Sequence, residues 1–270
     1  MFPTKLQAVL FVLAWTLLQY AMGYTVVALG VRWEADNNFI GLAIELTATF
    51  LLVTFALQQM QLRFTGLFHA HPSQVGTLLT LVLVPILLVV FGGQILFSNI
   101  SIIYTLLFPQ PTDMSEDLTV LMNSGLLGFF NVCVLGPAIE ELLFRGIVLR
   151  GLLSHYSPGV AIVFSSVLFS LMHLNPDQLI FSLLIGMFLG WLYVFSRSLW
   201  PSIVAHMANN TLAYIISAGA FTIEGVNDFP DGELVFPSAF WQLVGLLALV
   251  AGIVWLQRLL SSGATGNTAE

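Results

Sequence analysis

The stretch Gly136-Pro-Ala-Ile-Glu-Glu-Leu-Leu-Phe-Arg-Gly146 puts two carboxylates and a guanidinium inside an otherwise apolar helical run. Glu141 and Arg145 are four residues apart with the acid N-terminal, the better order for an ion pair on one helix face. Glu140 is rotated by about 100° and lacks that partner. Phe144, four residues on, sits over the Glu140 face. A carboxylate beside an apolar ring has a raised pKa, which is what a general base working near neutral pH requires. The bland alternative is that both acids serve only helix packing or an ion pair. Two further spacings of four follow, Phe169 with His173 and His206 with Asn210. The Phe169 ring can pack against the His173 imidazole and fix it. His206 and Asn210 share a face and can point at one small volume. A lone histidine in a helix is usually a satisfied core residue, but two histidines and a glutamate pair in apolar spans are harder to dismiss. His69, His71 and His155 fall in predicted loops or helix ends and receive no role.

A turn at Tyr156-Ser-Pro-Gly159 makes an antiparallel hairpin of the runs on either side. Glu140 lies 16 residues before Tyr156 and His173 lies 16 after Ser157. At about 1.5 Å per residue both sit roughly 24 Å from the turn, so they can meet across the hairpin. His206 lies only about 8 residues beyond a turn near Ser198, nominally shallower than Glu140.

These groups must be held by elements of a particular kind. The chain has 270 residues, of which 58% are hydrophobic and 8% charged, and its mean hydropathy is +0.94. A soluble chain carries roughly 25% charged residues to face water. Apolar runs of about 20 residues recur instead, the signature of membrane-spanning helices. A charge at the bilayer centre costs roughly 3 kcal/mol on insertion scales, so Glu140, Glu141 and Arg145 must face partners or a wet cavity. The net charge of −7 and the lack of a basic cluster disfavour a nucleic-acid partner. The single cysteine, Cys133, excludes an internal disulfide and reads as small packing filler.

Periodicity and length predict an all-α fold, a polytopic transmembrane bundle of about eight helices. The spans are residues 6–30, 39–60, 74–97, 118–153, 159–174, 178–195, 200–218 and 239–257. The first is too long for a signal-peptide core and reads as a retained transmembrane helix. The fourth is too long for one simple crossing and contains Pro137, which favours a kinked helix that emerges from the bilayer over two helices. With both termini cytoplasmic, the inner side receives Lys5, Arg63, Arg150, Arg197 and Arg258, and the outer side only Arg32. The outer loops then hold Glu34, Asp36, Asp113, Glu116, Asp117, Asp177, Glu224, Asp228, Asp231 and Glu233. By segment, the chain reads as N-terminal transmembrane helices over 1–115, a core with the three motifs over 116–220, an outer loop and last transmembrane helix over 221–260, and a disordered polar tail over 261–270.

Glu140-Glu141-x-x-x-Arg145, Phe169-x-x-x-His173 and His206-x-x-x-Asn210, in this order, resemble the three motifs of the CPBP family, which contains the type II CAAX prenyl endopeptidases and related bacterial intramembrane proteases. The resemblance covers about residues 120–220. It implies a glutamate-dependent intramembrane endopeptidase without a cofactor, in which Glu140 activates water together with His173, His206 and Asn210 hold the oxyanion, and Glu141 and Arg145 are structural or orienting. The residue chemistry agrees. Peptide hydrolysis needs a deprotonated water, a donor to the oxyanion and a proton for the leaving amine. Glu140 could supply the first, His206 and the Asn210 amide the second, an interaction often worth roughly 3–4 kcal/mol, and protonated Glu140 or His173 the third. The implied partners are the bilayer and a membrane-associated or lipidated protein or peptide substrate, and a bacterial plasma membrane suits the compact chain.

Other readings stay open. Two histidines and a glutamate could ligate zinc in a metalloprotease, although the chain has no His-Glu-x-x-His. Buried Glu, His and Arg also serve proton relays in transporters, although no inverted repeat stands out. A non-catalytic binding or immunity protein could keep the same membrane fold. Ser165, Ser166 and Ser170 lie near His173, but no Ser-His-Asp set is evident.

Overall fold

The computed structural model describes residues 1–31, 39–68, 75–108, 125–173 and 176–265. Arg32, His69, His71, the acids at 34, 36, 113, 116 and 117, the start of the fourth span from 118 and the last five residues lie outside the described residues. The described residues are helical almost throughout. Their one β-type pairing is an isolated bridge between Glu224 and Asp228. Eight helical stretches follow in order: α1 (Lys5–Ala28), α2 (Phe39–Met60), α3 (Val75–Leu107), α4 (residues 125–152), α5 (Pro158–Met172), α6 (Pro176–Ser196), α7 (Trp200–Ser217) and α8 (Ala239–Thr265). They are the eight spans that periodicity predicts. The chain is a multi-pass integral membrane protein. Its solvent is lipid: Leu6, Leu10, Leu13, Leu17, Tyr20 and Tyr24 form an exposed apolar stripe along α1 that only a hydrocarbon environment covers.

Five of these helices are long and apolar enough to cross a bilayer on their own. The three motifs lie on α4, α5 and α7, which are not among these five. α5 has 15 residues, about 22 Å of rise against a hydrocarbon core of about 30 Å.

Two boundaries differ from expectation. α3 runs to Leu107, well past 97. The polar residues there do not end it, because they bond back to their own helix: Ser98 Oγ donates to the Ile95 carbonyl, Asn99 Nδ2 to Leu96 and Thr105 Oγ1 to Ser101. α8 likewise continues to Thr265 rather than stopping at 257, so the first half of the expected disordered tail is helical. Leu259 and Leu260 prolong its apolar run, and Ser261 Oγ donates to the Arg258 carbonyl.

The fourth span is one continuous helix. Its turns are α-helical at Gly125–Phe130, π-helical at Asn131–Leu135, α-helical at Gly136–Glu141, π-helical at Leu142–Leu149 and α-helical at Arg150–Leu152. Pro137 explains the first wide turn. Its ring clashes with the carbonyl four residues back and it has no N–H to give. Widening the turn relieves this, and the Gly136 N–H bonds to the Asn131 carbonyl five residues back. Wide turns of this kind are frequent at functional sites. Here two of them flank the acidic pair.

The chain divides into two compact units, neither contiguous in sequence: residues 1–70 with 115–199, and residues 71–114 with 200–270. In the first, α4 is the central element. Residues 143–149 are buried on every face, as in a helix surrounded by others. Around it stand α1 and α2, joined by a hydrogen bond from Trp15 Nε1 to Thr49 Oγ1 at 3.0 Å, and the hairpin of α5 and α6. Gly186 and Gly190 let α6 approach α5 closely: a Cβ on either would lie 3.2 Å from Phe169 and Ser166 or from Ile162. Small residues four apart are the usual device for such contact in membranes. In the second unit, α3 packs against α8 through Gly92, Gly245 and Gly252. A Cβ at Gly92 would run into the Gly245 carbonyl, and one at Gly252 into the Pro85 carbonyl. α7 packs on the same α3.

Candidate active site

In the first unit, the acidic pair is sorted by burial. Glu141 is fully buried and Arg145 is 1% exposed. Arg145 Nη1 donates to Glu141 Oε1 at 2.7 Å, the ion pair that their spacing predicts. Arg145 Nη2 donates to the Gly186 carbonyl of α6 at 2.8 Å. The guanidinium also lies 4.8 Å from the centre of the Phe169 ring, a favourable placement for a cation over an aromatic face. Arg145 therefore pins α4 to both arms of the α5–α6 hairpin. Glu140, one position away, is only half-buried.

Phe169 is the hub of this cluster. Its ring meets Phe144 edge-on at 5.2 Å and His173 edge-on at 4.8 Å. Phe144, expected over the Glu140 face, is buried with its ring against Phe169. The first and second motifs thus meet across the hairpin, through Arg145 and Phe169. The turn between α4 and α5 falls where expected, with Ser157 as the cap of α5. His173 caps the C-terminus of α5 rather than lying within the span. Its Nδ1 is 2.9 Å from the Phe169 carbonyl oxygen. A carbonyl only accepts, so Nδ1 carries the proton and the neutral ring offers the Nε2 lone pair as an acceptor.

In the second unit, His206 and Asn209 are buried on α7, and Asn210 is half-buried beside them. Asn209 Oδ1 accepts from Gln94 Nε2 of α3 at 3.0 Å, and Asn209 Nδ2 donates to Asn210 Oδ1 at 3.2 Å. Sequence reasoning passed over Gln94, Asn209 and Gly186. The signals were present: a glutamine inside an apolar run after Gly92-Gly93, a second asparagine beside the motif residue, and Gly186-x-x-x-Gly190. Cys133 is buried and forms no disulfide, consistent with a packing role. Among the described residues no three His, Cys, Asp or Glu side chains converge as a metal-ligand set.

Residues 122–212, which contain all three motifs, match the family model described as Rce1-like, type II CAAX prenyl endopeptidase Rce1-like. The chain is also 30% identical over 83 residues to the protein of Bacillus subtilis (strain 168) named "Putative membrane peptidase YdiL". That match covers 31% of this chain and 34% of the relative, so the chain spans about a third of the length of the curated relative it matches. No solved structure matches the chain.

Proposed function

We propose, from the premise that residues 122–212 carry an Rce1-like, type II CAAX endopeptidase segment, that this membrane protein is an intramembrane endopeptidase. Its substrates are membrane-associated or lipidated proteins and peptides. The single observation that carries the reading is the division between the two adjacent acids. Glu141 is fully buried in an ion pair that ties three helices, while Glu140 beside it is only half-buried. On this reading the buried acid builds the site and the more exposed one is the base.

In the proposed reaction, Glu140 takes a proton from water and the nascent hydroxide attacks the scissile carbonyl carbon. His173 Nε2 accepts the second water proton as a hydrogen bond and holds the nucleophile in line. Charge builds on the carbonyl oxygen, where His206 and the Asn210 amide donate to it. As the C–N bond breaks, the proton held by Glu140 passes to the leaving amine. The products are a carboxylic acid, which gives up its remaining water-derived proton to solvent or to the new amine, and that amine; Glu140 returns to its starting state. No metal or other cofactor takes part.

The test is cleavage of a peptide library by the full chain in lipid vesicles, with products identified by mass, with and without a strong chelator. Cleavage that survives the chelator supports the glutamate mechanism. Cleavage abolished by the chelator and restored by zinc would replace it with the metalloprotease. Absence of cleavage for every peptide would favour a binding, immunity or transport role.

A further inference from the structure

Gln94 and Asn209 belong to none of the three motifs, yet they hold one of them. Both sit in the hydrophobic second unit, where a primary amide is costly unless its ends are hydrogen-bonded. The amide of such a side chain has an oxygen end that only accepts and a nitrogen end that only donates. The two bonds here run in one direction. Gln94 gives from nitrogen to the Asn209 oxygen, and Asn209 gives from nitrogen to the Asn210 oxygen. The Asn210 oxygen is thereby turned toward Asn209, and its N–H donors are turned the other way.

We propose that Gln94 and Asn209 form a positioning relay that fixes the orientation of the Asn210 amide, so that Asn210 presents N–H rather than oxygen to the developing oxyanion. The proposal rests on the reading of Asn210 as an oxyanion donor. An asparagine amide has nearly the same shape in its two orientations, but their electrostatics are opposite at a site of negative charge. An oxygen presented there repels the transition state that the amide exists to stabilise. The relay gives the amide one direction, and the direction is set from α3, at Gln94, which is 115 residues from Asn209 in sequence. Gln94 and Asn209 touch no reacting atom and act only through Asn210.

The relay has a polarity, so the variants that test it reverse the polarity rather than merely cut the chain. An ionised glutamate at 94 can only accept, so the comparison is made at a pH high enough to ionise it. Asn209 must then turn its nitrogen toward position 94 and its oxygen toward Asn210, which flips in turn. Asn209→Asp has the same consequence from the middle of the chain and stands in if Gln94→Glu fails to fold. Cleavage of a fixed peptide by the full chain in vesicles is measured for wild type, Gln94→Glu, Gln94→Leu, Asn209→Asp, Asn210→Ala and the double variant Gln94→Glu with Asn210→Ala. The expected result is a kcat loss of about 10²-fold for Gln94→Glu, Asn209→Asp and Asn210→Ala alike. KM should stay within roughly twofold, because the interaction is made in the transition state. Gln94→Leu imposes no wrong direction and should lose only about tenfold. The double variant should be no slower than Asn210→Ala alone, since both changes act through one amide. Losses that multiply in the double variant, or equal kcat for Gln94→Glu and Gln94→Leu, would overturn the relay while leaving the oxyanion reading in place. Full activity in Asn210→Ala would instead overturn the oxyanion reading itself, and the relay with it.

Discussion

Glu140 and Glu141 differ by one helix position, and that single step decides what each can do. A buried ion pair is costly to break from one side. Removing the Glu141 charge leaves Arg145 uncompensated in the interior, at a cost of about 3–5 kcal/mol. Glu141→Gln should therefore lower the thermal midpoint in detergent sharply, and adding Arg145→Met should restore most of it. A Glu141→Gln protein as stable as wild type would show that the pair does not hold the site together. The pair was legible in the sequence because a spacing of four fixes who meets whom on one helix. The Gly186 carbonyl that shares Arg145 was not, because a backbone acceptor on another helix leaves no mark in the residue type. His173 was identified as a residue, but its fixed tautomer depends on where α5 ends.

Helices position these residues, and close approach is what makes the positioning firm. Phe169 is surrounded by Arg145, Phe144 and His173, so it has little room to yield. A Cβ at Gly186 would lie 3.2 Å from its ring. Gly186→Ala should cost about 1–3 kcal/mol by overpacking, and should also lower kcat, since Phe169 bears on His173. Thermal melting together with cleavage kinetics checks both, and an unaffected kcat would detach Phe169 from the chemistry. The same applies in α3 and α8, where Gly92→Leu should break their packing and yield unstable protein. Spans were readable from apolar length alone. The π-helical turns of α4 were only hinted at by Gly136-Pro137. The far end of α3 was misjudged because Ser98 and Asn99 look like a loop until their back-bonds to the helix are seen.

At the scale of the molecule, composition settled the most. So few charges cannot coat a soluble surface, and the exposed stripes on α1 and α8 confirm lipid as the solvent. Sidedness is a further expectation, carried by Lys and Arg alone. In a Cys133→Ser background, single cysteines at positions 5 and 258 should be protected from an impermeant thiol reagent added outside cells and labelled once the membrane is opened. Labelling of either from outside would reverse the orientation. Helix count and order were legible because apolar runs of roughly membrane-spanning length recur along the chain, separated by polar or turn-forming residues. The division into two discontinuous units was not, because that depends on pairings between distant segments.

The claim beneath all of this is that the Glu140 carboxylate is the base. Replacement by glutamine keeps the size of the side chain and removes only its capacity to take a proton, so kcat of Glu140→Gln in vesicles, with its melting temperature measured alongside, addresses that claim most directly. The account predicts turnover at least about 10²-fold lower at an unchanged melting temperature. Cleavage at the wild-type rate by the folded glutamine variant would contradict it.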